Sequence, residues 1–153
     1  MTVKPRPVPL QGAATVEDLM RGILSVRFGE ACDLCAALES GDPAGLHQFR
    51  IACKRLRYAL ERFDALWPLF DASARHLALV QDALGEVHDC DLLLAQLPAE
   101  MPKTRLRLAA DRERCARRSA TLWRDARVLL GESLRFVAHG SATPCSASAA
   151  TPS

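Results

Sequence analysis

The chain has 153 residues, about one domain's worth, with 49% hydrophobic and 25% charged residues and a formal net charge of +2. That balance excludes a wholly disordered chain. No apolar run reaches 18 residues, so no transmembrane helix is expected, and the opening MTVKPRPVPLQGAAT lacks the apolar stretch of a secretory signal. Ala and Leu dominate, while Val and Ile together number ten, a helical palette that leaves little room for an all-β fold.

Residues 1–12 carry three prolines and read as a flexible, extended arm. A first helix is expected from about Thr15 to Leu38. Thr15 caps it, Asp18 three residues on completes a capping box, and Val16, Leu19, Ile23, Val26, Leu34 and Leu38 supply apolar positions. Asp42 and Pro43 then start a second helix. Here Leu46, Phe49, Cys53, Leu56, Leu60, Phe63 and Trp67 repeat at spacings of 3 and 4, a seam for packing in a bundle that Pro68 closes. A third helix is expected from about Asp71 to Leu97, before Pro98. A fourth runs from about Lys103 to Val137, with Gly131 a candidate kink or early end. Residues 139–153 are small, polar and uncharged, and read as a disordered tail. The expected architecture is all-α, a single four-helix bundle of antiparallel helices over 13–138.

Charge is divided helix by helix. Net charge is −4 over residues 13–42, +3 over 43–69, −5 over 70–100 and +6 over 101–138. In an up-down bundle, sequence neighbours are spatial neighbours, so acidic and basic helices can pair with each other. Each exposed pair would contribute little.

On the second helix, His47, Arg50, Lys54 and Arg57 fall within an arc of roughly 80° beside the apolar seam, at 100° per residue. Such a row repels itself unless acidic residues or an anion lie opposite. It is therefore a solvated face, a ladder paired to carboxylates of the next helix, or a strip that grips a linear polyanion. Arg supplies bidentate contacts to phosphate and Lys a point charge. Arg55 and Arg62 project from another side, with Tyr58 between that side and the row.

The third helix holds LGEVHDCDLLL over residues 84–94. Asp91 falls inside the apolar arc near Leu84 and Val87, so its carboxylate needs a cation, with Arg50 or Arg57 expected. Asp89 points outward. Gly85 costs about 1 kcal/mol against Ala in mid-helix, which calls for a close approach by a neighbouring helix or a ligand. His88 reads as an edge or interior histidine or as a ligand contact.

The stretches GLHQFRIACKRLRYALERFDALWP (45–68) and LGEVHDCDLLLAQL (84–97) resemble the CHAD family, the conserved-histidine α-helical domain. The matching pattern is His-x-x-Arg, a basic cluster, then Leu-Gly-x-x-Arg-Asp-x-Asp on the next helix. The resemblance implies helical bundles that bind inorganic polyphosphate through basic residues, in some members at polyphosphate granules. Carried over, the family histidine falls on His47, its basic cluster on Arg50, Lys54, Arg55 and Arg57, and its Asp pair on Asp89 and Asp91 in a supporting role. The helix-3 arginine of the family falls on His88, a departure that makes that contact pH-dependent. The family unit has two bundles and this chain has room for one, so a homodimer is expected to rebuild the pair.

Other signals are weaker. Cys32-x-x-Cys35 has no partner pair, and the six cysteines read as reduced thiols rather than a metal site or a disulfide framework. No phosphate loop or nucleophile set is visible, so no cofactor and no catalysis are expected. Arg107, Arg114 and Arg118 on the last helix either extend the strip or pair with acidic helices. Nucleic acid would call for aromatic platforms or more positive charge. The reading is a cytoplasmic, non-catalytic polyphosphate binder. Its alternatives are a general polyanion binder and a helical interaction domain whose basic helices meet only acidic ones.

Overall fold

The computed structural model describes residues 4–9 and 11–138. The chain forms five helical segments: α1 (Val16–Leu34), α2 (Ala37–Ser40), α3 (Pro43–Phe63), α4 (Phe70–Gln96) and α5 (Pro102–Ala138). There is no strand among the described residues. The four long helices form the expected all-α antiparallel bundle, and none is long and apolar enough to cross a membrane. The tail over 139–153 lies outside the described residues, as do positions 1–3 and 10 of the arm.

Local signals set most boundaries. The Thr15 hydroxyl accepts from the Asp18 N–H at 3.0 Å, and the Asp18 carboxylate accepts from the Thr15 N–H at 3.1 Å, forming the predicted capping box. Asp42 caps α3 by accepting from the Gly45 N–H at 2.7 Å, with Pro43 in the first turn. Leu97 is extended, as the residue before a proline prefers, and α4 ends there.

Three expectations change. The first helix is not continuous to Leu38: it stops at Leu34, and the short α2 follows and ends at Gly41 in the left-handed region (φ +66°). Its buried face is centred on Met20, Leu24 and Ala31, while Val16 is exposed. Apolar residues lie on several sides of this helix, so sequence periodicity marks its inner face poorly. Gly131 does not end the last helix, which continues through it to Ala138.

The seam of α3 is fully used. Leu46, Phe49, Cys53, Leu56, Leu60, Phe63 and, just past the helix end, Trp67 are all buried. They meet Leu77, Val80, Leu84 and Val87 of α4 and the inner face of α1. Trp123 of α5 closes the remaining side, its ring edge-on to Phe49 at 5.0 Å and tilted against Phe28 of α1 at 6.4 Å. Thus α3 lies between α1 and α4, and α5 pairs with α4.

The arm is fastened where it is described. The Arg6 N–H donates to Glu30, its guanidinium pairs with Asp33, and Arg27 donates to the Arg6 carbonyl at 3.2 Å.

Candidate functional site

The packing of α3 on α4 places the basic row along the seam between them. His47 and Lys54 are exposed, and Arg50 and Arg57 are half-buried. Arg50 reaches across to α4, where its Nε donates to the Gln81 carbonyl at 3.3 Å. Its terminal nitrogens are left without a protein acceptor among the described residues. The guanidinium lies over Gly85, where a Cβ would meet Arg50 Nη2 at 3.8 Å and Nε at 4.0 Å. This is the close approach that the helical glycine predicts. Lys54 and Arg57 both stand over the Tyr58 ring, 5.6 and 4.8 Å from its centroid, so Tyr58 steadies two members of the row.

No carboxylate of α4 pairs with this row among the described residues. Arg57 pairs with Glu61 of its own helix at 2.7 Å. Two acidic groups of α4 pair with α5 instead. Asp91 accepts from Arg112, and Arg118 pairs with Glu86 at 3.5 Å. The expectation that Arg50 or Arg57 holds Asp91 is therefore corrected. Arg50 lands more than a turn earlier on α4, and the Asp91 carboxylate is held from α5 by Arg112.

Arg112 is the residue that sequence reasoning missed. It holds Asp91 and also donates to the Gly41 carbonyl at 2.9 Å, tying α5 to α4 and to the turn before α3. Burial opposes its charge only in part, and the Asp91 hydrogen bond holds its pKa above the ordinary arginine value. A signal existed. Cys115, Ser119, Trp123, Ala126 and Leu130 form the buried stripe of α5 at spacings of 4, 4, 3 and 4, and Arg112 lies on the same stripe one turn earlier. Arg105 lies seven residues before Arg112 and donates to the Leu94 and Leu97 carbonyls at 2.9 and 2.7 Å, closing the C-terminus of α4. Of the α5 arginines weighed for the strip, Arg114 pairs with Asp111 and Arg118 with Glu86.

His88 of α4 is exposed and meets His47 of α3, with ring centroids 6.0 Å apart and planes inclined by 39°. His47, Arg50, His88 and Asp91 rim a small cleft floored by Leu46, Leu84 and Val87. Asp89 is exposed on the outer side of α4.

Arg55 lies elsewhere. It shares a depression with Lys4, Arg6, Glu30 and Asp33, on the α1 side of α3. Glu30 is only 5% exposed and pairs with Arg27 at 2.7 Å. Burial alone would raise its carboxyl. The hydrogen bonds from Arg27 and the Arg6 N–H, with the charges of Arg27 and Arg55, outweigh that and hold it below its ordinary value. The structure thus brings together His47, Arg50, Lys54, Arg57 and His88, and separates Arg55 from them.

The five described cysteines are free thiols. Burial, helped by a hydrogen bond from the thiol to Glu86 at 3.1 Å, pushes Cys115 up to about 11. Burial likewise raises Cys53 and Cys32. These thiols are protonated at neutral pH and so are poor nucleophiles and metal ligands. No group of three or more His, Cys, Asp or Glu among the described residues is placed to hold a metal ion.

In comparisons with known proteins, the CHAD domain family model matches residues 4–98 and also residues 34–147. No curated protein and no solved structure matches the chain.

Proposed function

The chain belongs to the CHAD domain family, and on that premise we propose that it binds inorganic polyphosphate, without catalysis, along the basic row of α3. One observation carries the reading. His47, Arg50 and Lys54 make no ion pair among the described residues, although an acidic helix packs beside them. Four cationic or protonatable groups on successive turns repel each other, and an anion laid along the seam removes that repulsion. From His47 to Arg57 the row spans about 15 Å at 1.5 Å per residue, suited to an extended chain of phosphates rather than to one small ligand. The free terminal nitrogens of Arg50 suit bidentate contact with phosphate oxygens, and Lys54 adds a mobile charge. In the cell the same reading places the protein in the cytoplasm, at polyphosphate granules or as an adaptor to them.

Calorimetric titration with long-chain polyphosphate at two salt concentrations tests this, with single-stranded DNA and heparin as controls. Polyphosphate binds more tightly than either control, and Arg50→Ala with Lys54→Ala weakens it about 100-fold, near 1.4 kcal/mol per cation, while the fold persists by circular dichroism. Equal binding of all three polymers, erased by salt, overturns the specificity and leaves a general polyanion binder. No binding at low salt leaves the row as a structural feature.

The same reading calls for a second copy as partner. The two family matches share residues 34–98, the stretch holding α3 and α4. Leu92, Leu93, Met101 and Leu106 leave apolar surface exposed around the α4–α5 turn, and Leu92 borders a groove shared with His47 and His88. Light scattering with and without polyphosphate checks this, and a monomer under both conditions overturns it.

A further inference from the structure

His47 and His88 come from different helices yet flank one cleft, their ring centroids 6.0 Å apart. The charged groups around them are few. Arg50 of α3 forms one wall of the cleft and Asp91 of α4 another. The Asp91 charge is already answered by Arg112 of α5. Asp89, the neighbour of His88 on α4, is exposed on the outer side. The cleft therefore holds one guanidinium in excess and two imidazoles, the side chains whose charge changes nearest neutral pH. Like charges this close oppose one another, and an anion between them removes that opposition. Both imidazoles are exposed, so a phosphoryl oxygen can reach either ring without moving the core.

We propose that this cleft is a proton-linked phosphoryl subsite, resting on the polyphosphate reading above: it takes one phosphoryl group of the phosphate chain between His47, His88 and Arg50, and the imidazole pair gains a proton as it does. The proton comes from solvent. The charged imidazole then donates an N–H to a phosphoryl oxygen, and no covalent bond changes. Because the complex holds more protons than the free protein, affinity rises as pH falls. Lys54 and Arg57 carry the rest of the chain at all working pH values, so the subsite modulates affinity rather than creating it. His88 is then what makes this chain's binding answer to pH, since an arginine there would stay charged throughout.

The experiment is titration of the full chain with long-chain polyphosphate at neutral pH, in two buffers of different ionisation enthalpy. The apparent enthalpy is expected to differ between them in the direction of proton uptake. Across pH 8 to pH 6 the affinity is expected to tighten about tenfold. His47→Gln with His88→Gln removes both the buffer dependence and the slope. His88→Arg retains binding with a flattened profile, a result that mere packing of the two rings would not give. Equal heats in the two buffers, with binding intact, overturn the subsite and spare the polyphosphate reading. A slope that survives the double His variant does the same. Absence of binding in the unaltered chain overturns both.

Discussion

The two flanks of α3 carry similar side chains in different electrostatic surroundings. On the α1 side, Arg55 faces a closed network in which Arg27 and Arg6 meet Glu30 and Asp33. On the α4 side, Arg50 bonds only a backbone carbonyl among the described residues, and Lys54 rests on an aromatic ring. The arginines are five positions apart on one helix. What separates them is the partner helix: α1 sets Glu30 and Asp33 beside Arg55, whereas Glu86 and Asp91 of α4 pair with arginines of α5. A cationic cluster becomes a binding candidate when its neighbours leave its charge unanswered, and residue type alone does not decide that.

The sharpest way to break this comparison is to remove the carboxylate at the centre of the paired flank. Glu30→Ala leaves the half-buried Arg27 guanidinium without its carboxylate partner and is expected to cost about 3 kcal/mol in urea unfolding. Polyphosphate affinity should stay within about twofold, since the strip lies on the other flank. A comparable loss of affinity would mean the flanks are one site.

Next in size is Asp91→Ala. It strips Arg112 of its carboxylate where both side chains are about one-fifth exposed, and about 2 kcal/mol of stability should go with it. Arg112→Ala should cost a similar amount, and the double variant less than the sum of the two, because the groups form one interaction. Full additivity would show that the pair does not hold α4 to α5.

Acid unfolding gives a further separation. The folded-state pKa of Glu30 lies below its ordinary value of 4.5. Its contribution is therefore fully present above that value and is lost as pH falls through the folded value. Glu30→Gln should make the low-pH limb of the stability curve shallower. An unchanged limb would place the acid sensitivity elsewhere.

The smallest effect should fall at the end of the strip. Glu61→Gln releases Arg57 from a partly exposed pair within its own helix, so stability should change by less than about 0.5 kcal/mol. Polyphosphate should bind about two- to threefold tighter by calorimetry, because removing a nearby negative charge adds to the strip's field. Weaker binding would mean that Glu61 positions Arg57 for the ligand.

The amino-acid sequence alone carries the helical class, the capping box at Thr15, the start at Asp42 and Pro43, the break at Pro98, and the buried seam from Leu46 to Trp67. Each depends on residues within a turn or two of one another, so periodicity and capping chemistry expose it. It also placed His47, Arg50, Lys54 and Arg57 on one side of one helix, because that requires only the helical repeat. Tertiary structure decided which of these charges are answered. Asp91 pairs with Arg112, 21 positions away, and Arg55 faces Glu30 across a helix boundary. The meeting of His47 with His88 depends on the axial register of α3 against α4, set by packing along the whole seam. A helical wheel gives the angle of a side chain about its own axis. It gives neither the rotation nor the slide of the neighbouring helix, and these choose the partner of every charge at an interface.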